Sequence, residues 1–114
     1  MAIQTTVMKN TVATAYGSAA AFGALATTAP GSTAGTEVTG GSPVYARKAL
    51  TWGASSGGVI LATAIFDVPS GTTVIGTMVY SALTGGTYLD GATVTSQVFS
   101  SQGTLTVNFT FTEA

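Results

Sequence analysis

Glu37, Tyr45, Arg47, Lys48 and Trp52 all fall in the segment TAGTEVTGGSPVYARKALTWG, which also contains the only tryptophan of the chain. Arg, Tyr and Trp are the residue types enriched where one protein grips another. Arg47 could pair with a partner's carboxylate, and Tyr45 and Trp52 could anchor an interface. A plainer reading stands beside this one: Trp52 on an alternating strand packs most simply in the core. The stem of Arg47 or Lys48 would then cover apolar surface. Tyr45 and Arg47, together with Ile3 and Val7 near the start, are the candidate partner-contact residues.

Catalysis has little to work with. The chain contains no histidine and no cysteine, which removes Ser-His and Cys-His nucleophile pairs and thiolate metal sites. Its four carboxylates, Glu37, Asp67, Asp90 and Glu113, are far apart in sequence. Two facing carboxylates would suit glycoside hydrolysis, but each of these has a simpler place. Asp67 closes a strand, Asp90 in LDGA has the Asp-Gly pattern of a tight turn, and Glu113 belongs to the tail. No Asp-x-Asp-x-Asp spacing marks a calcium loop, and GASSGG and LTGGTYLDG lack the Lys-Ser/Thr ending of a phosphate loop. The expectation is a protein without catalytic activity, metal or cofactor.

Composition points to an environment. The 114 residues suit one domain. Only 6% of them are charged, against about 25% in ordinary soluble domains. Thr, Ser and Gly replace the missing charges, and the formal net charge is −1. A free monomer draws solubility from interspersed charge, so much of this surface is expected to lie against copies of the chain or a partner. Lys9, Arg47 and Lys48 are the only cations, too few to bind nucleic acid phosphates. No apolar run approaches the roughly eighteen residues of a membrane span. KNTVATAYGSAAAFGALATTA is interrupted by Thr14, Tyr16, Gly17 and Ser18 and lacks the continuous apolar stretch of a secretory signal.

The elements that must position these residues follow from periodicity. Residues 1–9 read as an extended arm anchored by Ile3 and Val7. Val12, Ala15, Tyr16 and Ala19 have helical spacing, giving a short helix over 10–22 capped by Asn10 or Thr11, with a strand as the rival. Residues 30–43 form a long loop rich in Gly, Pro, Ser and Thr. A β-rich core spans 45–112. VYARKALTW alternates, GVILATAIFDV is apolar on both faces as in a central strand, and PSGT is a turn. TTVIGTMVYSAL is a strand with a bulge or kink at Gly76, and TVTSQVF and TLTVNFTFT flank SSQG. In the last of these Leu105, Val107, Phe109 and Phe111 point one way and the Thr residues and Asn108 the other. The fold class is mainly β: a β-sandwich or small barrel of five to seven antiparallel strands, with an N-terminal arm and one short helix.

The segment from "PGSTAGTEVTGGSPVYAR" onward, residues 30–47 above all, resembles a family of small virion proteins encoded by tailed phages of actinobacteria. GTYLDG and the Thr-rich final strand are similar too. Members carry a Pro-Gly loop, then Glu-Val-Thr-Gly-Gly-Ser-Pro-x-Tyr-Ala-Arg, then an alternating strand, and are variously labelled decoration, minor capsid or tail-fibre proteins. Many have a His-Thr pair before the loop; here ATTAPG stands there, so no role tied to that His transfers. The resemblance implies a structural protein of the capsid exterior. It would bind the major capsid protein and associate with itself as a dimer or trimer. The alternative is a tail-fibre or tail-tip module using Tyr80, Tyr88 and Phe99 to contact host carbohydrate.

Overall fold

A computed structural model describes residues 3–112. The chain runs through α1 (Thr6–Ala19), β1 (Phe22–Ala26), β2 (Lys48–Ala49), β3 (Val59–Val68), β4 (Thr72–Tyr80), β5 (Tyr88–Phe99) and β6 (Gly103–Thr112). A four-stranded sheet has the order β2-β1-β4-β5, and a two-stranded sheet pairs β3 with β6. All pairings are antiparallel. The two sheets stack as an open sandwich, so the barrel alternative falls away.

The four longest strands form one hairpin folded double. β4 pairs with β5 around a tip at residues 81–87, and β3 pairs with β6. Both arms cross between sheets at the same level, one through Pro69, Ser70 and Gly71, the other through Ser100, Ser101 and Gln102. Gly71 adopts φ 74°, and its N–H donates to the Phe99 carbonyl at 2.7 Å. A residue with a Cβ would be strained in that conformation.

Alternation sorts the core. Ile60, Ala62, Ala64, Phe66 and Val68 turn inward from β3, and Phe109 meets them from β6. Leu25, Val74 and Val79 face them from the other sheet. Phe66 is fully buried, with ring centroids 6.3 Å from both Tyr45 and Phe109. A second small cluster of Ala24, Ala26, Met78 and Tyr80 lies on the far face of the four-stranded sheet. Residues 27–36 close over that face: Thr27 donates to the Thr36 carbonyl at 2.8 Å, and the Pro30 ring sits on Gly76 and Gly91.

Several expectations need correction. The arm over 1–9 is cut short: residues 1 and 2 lie outside the described residues, and of the rest only 3–5 precede the helix. The helix begins at Thr6, because the Thr5 hydroxyl accepts from the Met8 N–H at 3.3 Å and caps it there. Val7 is therefore helical. The helix ends at Ala19 instead of reaching 22, since Phe22 already belongs to β1. Its packed face runs through Ala13, Tyr16, Gly17 and Ala20, while Ala15 and Ala19 are exposed. Asn10 caps nothing; its Oδ1 accepts from the Gly58 N–H at 2.9 Å and ties the helix to the start of β3. In 45–53 only Lys48–Ala49 is strand. β3 is buried on one face only, with Leu61 and Ile65 exposed on the other, because among the described residues no layer covers the outside of its sheet. The Gly76 irregularity is present: the β4–β5 register shifts between Val74 and Gly76.

Candidate interaction surface

Arg47 closes a clamp instead of reaching outward. Its Nε and Nη2 donate to the two carboxylate oxygens of Glu37, each at 3.0 Å. Nη1 donates to the carbonyls of Ala82 at 3.0 Å and Gly85 at 2.8 Å, in the tip of the folded hairpin. The guanidinium also lies over the Tyr80 ring, Cζ 3.6 Å from its centroid. The planar fork of Arg suits such bidentate, stacked contacts. The Glu37 carboxylate beside it raises the Arg47 pKa further above its ordinary range.

Tyr45 completes the arrangement. Its hydroxyl donates to Glu37 Oε2 at 2.9 Å and accepts from the Leu25 N–H at 3.0 Å. The backbone reaches this position through Gly40 and Gly41, both at positive φ, and the Tyr45 N–H returns to the Gly40 carbonyl at 2.8 Å. Burial pushes the Tyr45 phenol well above its ordinary pKa of 10.0. Tyr45 is 8% exposed, and the Arg47 side chain 10%. Both predicted contact residues are thus committed inside the chain, to the long loop and the hairpin tip.

A second polar-aromatic cluster joins the helix to the sandwich. Tyr16 stacks on Phe111 with centroids 3.9 Å apart, meets Trp52 edge-on at 5.9 Å, and donates to Asp90 Oδ2 at 2.9 Å. Burial first, then Asp90, drives its phenol pKa upward. Trp52 packs against Gly17, and its Nε1 donates to the Ala20 carbonyl at 2.9 Å, satisfying the end of the helix. The core reading of Trp52 fits this half-buried place.

The other expected sites fare as follows. Ile3 is half-buried, and Val7 is 78% exposed on the first turn of α1. Tyr80 is buried under Arg47, Tyr88 donates to the Gly31 carbonyl at 2.7 Å, and Phe99 packs against Gly103. Glu37 and Asp90 serve the two clusters just described, and Glu113 lies outside the described residues. Among the described residues no three His, Cys, Asp or Glu side chains gather as a metal site, and no helix is long and apolar enough to cross a membrane.

Several large apolar side chains face solvent. Val7, Leu61, Ile65 and Val98 are between 58% and 78% exposed. Leu61 and Ile65 share the outer face of the two-stranded sheet with Thr106, Asn108 and Thr110. The edge of β6 is also open. Val59 exchanges both backbone hydrogen bonds with Ser56, and the Leu61 carbonyl accepts from Gly53. Odd-numbered residues of β3 therefore turn their backbone groups away from β6, and the even-numbered ones pair with odd-numbered residues of β6. The N–H and C=O groups of Thr104, Thr106, Asn108, Thr110 and Thr112 point to β6's other side, where no described strand lies. Periodicity had shown which way these side chains point, but not which edge stays unpaired.

No family model, curated protein or solved structure matches the chain.

Proposed function

We propose that this chain is a structural protein of a phage virion, a decoration or minor capsid protein seated on the major capsid lattice at the capsid exterior. One observation carries the reading: Val7, Leu61, Ile65 and Val98 project from three different elements, each more than half exposed, in a chain with 6% charged residues. A free monomer leaves such side chains in water; a subunit with neighbours on several sides covers them. The likeness of residues 30–47 to virion proteins supplies the kind of assembly. The role requires no catalysis, metal or cofactor. Its mechanism is additive burial, with about 800 Å² per partner at each specific contact, repeated over many copies.

The head reading is preferred to the tail reading because Tyr80, Tyr88 and Phe99 are all engaged within the fold. A sugar-stacking platform needs their ring faces free. The test is to heat particles that lack this protein beside intact ones. Earlier release of DNA, together with hundreds of copies per intact particle on a quantified gel, supports the cementing role. Equal release, or only a few copies, defeats it.

A further inference from the structure

Beside the open edge of β6 lies a cleft of about 270 Å³. Alternation along β5 brings Asp90, Ala92 and Val94 to its floor, and Thr77 joins them from β4, where it pairs with Ala92. β6 borders the cleft at Asn108, Phe109 and Thr110, and Tyr16 and Trp52 line it as well. Drug-sized ligands fill roughly 300–1,000 Å³. This space is too small for a strand and suits a single side chain or a ligand of a few heavy atoms.

Two kinds of surface meet there. Tyr16, Trp52, Phe109, Ala92 and Val94 offer contact to an apolar stem. Hydrogen-bond acceptors stand on both walls. Asp90 is exposed, and its carboxylate accepts from the Tyr16 hydroxyl and from the Gly91 N–H, each at 2.9 Å. A carboxylate has about four lone-pair sites, so acceptor capacity is left over. On the other wall, the carbonyls of Asn108 and Thr110 belong to the edge of β6 that no described strand pairs. The Asn108 side chain turns to the outer face, where its Oδ1 accepts from the Thr63 hydroxyl at 2.9 Å. It is therefore the backbone of β6 that borders the cleft.

Charge decides the head group. Asp90 is the one charged residue among those lining the cleft. Among the described residues the only ion pair joins Arg47 to Glu37, so no cation of the chain neutralises Asp90. An anion would be repelled, and a neutral alcohol would leave the carboxylate without a counter-charge. An ammonium carries three donors and no acceptor, which suits a site rich in acceptors. Its alkyl stem would lie along the apolar residues, as lysine stems do on protein surfaces.

We propose that this cleft binds an alkylammonium group about the size of a lysine side chain, its head at Asp90 and its stem along Tyr16 and Trp52. Two sources carry that chemistry: a free amine, and a lysine side chain of another protein. The site is a property of the chain itself and does not depend on the virion reading.

Trp52 is the only tryptophan, so intrinsic fluorescence reports on the cleft. Titration with n-butylammonium chloride at constant ionic strength should change that fluorescence saturably, with millimolar affinity. Amide NMR shifts at Ala92, Asn108 and Thr110 should follow the same curve. The neutral isostere n-butanol should bind at least fivefold more weakly, for want of a charge-assisted hydrogen bond. Asp90→Asn keeps the size of the side chain and an acceptor for Tyr16; it should weaken n-butylammonium at least fivefold with an unchanged circular dichroism spectrum. Ala92→Phe fills the cleft from an exposed position and should abolish binding, and it decides the matter if Asp90→Asn disturbs the fold. Nα-acetyl-lysine methylamide distinguishes the sources. Binding at least as tight as that of n-butylammonium assigns the site to a partner's lysine, and weaker binding assigns it to a free amine. The proposal is overturned if neither probe gives a saturable response, if n-butanol binds as well, or if binding survives Ala92→Phe.

Discussion

The guanidinium of Arg47 lies over the ring of Tyr80, Cζ 3.6 Å from its centroid, while the same group holds both oxygens of Glu37. Three distant stretches meet there: the long loop, the segment before β2, and the hairpin tip. Arg47→Ala should destabilise the fold by about 3 kcal/mol, because it leaves the Glu37 carboxylate partly buried without its cation. Arg47→Lys should recover less than half of that, since an ammonium cannot make the fork or the stacked contact. Urea unfolding of the three proteins measures both effects.

Pro30 and Gly76 form a lock between the loop and the sheet. A Cβ at Gly76 would overlap Pro30 Cγ and Cδ. Gly76→Ala should cost about 1–3 kcal/mol through overpacking and speed proteolysis within residues 27–36. Pro30→Ala in the same chain should restore part of the loss, because contacting sites couple non-additively. A strictly additive pair would show that the two residues do not bear on each other.

Phe66 links β6 to the clamp through its ring neighbours Phe109 and Tyr45. Truncation to Ala should cost about 3–5 kcal/mol, measured by thermal or denaturant unfolding. Leu61→Thr, on the opposite face of the same strand, should change stability by less than about 0.5 kcal/mol as a surface substitution.

Alkaline pH should weaken the fold. Tyr16 and Tyr45 both hold their protons above the ordinary phenol pKa of 10.0, burial being the main cause in each. The unfolded chain releases those protons near pH 10 while the folded chain keeps them. Their contribution is therefore fully present below about pH 10 and drains away as the pH rises above it. Tyr16→Phe should flatten the fall in stability between about pH 10 and 12. Absorbance titration of the tyrosinate band checks the same point directly.

Legibility in the sequence followed how few forces acted on each stretch. β6 shows strict alternation because one face meets the core and the other meets solvent, and nothing else constrains it. β1 was unreadable for the opposite reason. Held between β2 and β4, with Phe109 and Leu50 pressed against Gly23, it needs small residues, and FGALA blends into the Ala-rich helix before it. Tyr45 and Arg47 were singled out by type, but types do not give direction. Their partner Glu37 stands ten residues upstream of Arg47, and the chain turns back between them through the positive-φ Gly40 and Gly41. Trp52 and Gly17 carried a hint, since a glycine inside a helix often marks a close neighbour.

The doubled hairpin sets an order of events. β4 and β5 are joined by a short tip and can zip from it, and β1 can then add to β4. β3 has no such neighbour in its ladder: Val68 pairs with Gly103, thirty-five positions on, and Val59 with Thr112, fifty-three positions on. Closing so large a loop is slow, so Ile60, Phe66 and Val68 stay wet until the last strand arrives. A nascent chain halted anywhere before β6 would display a sticky, half-made sandwich to the cell's quality-control machinery.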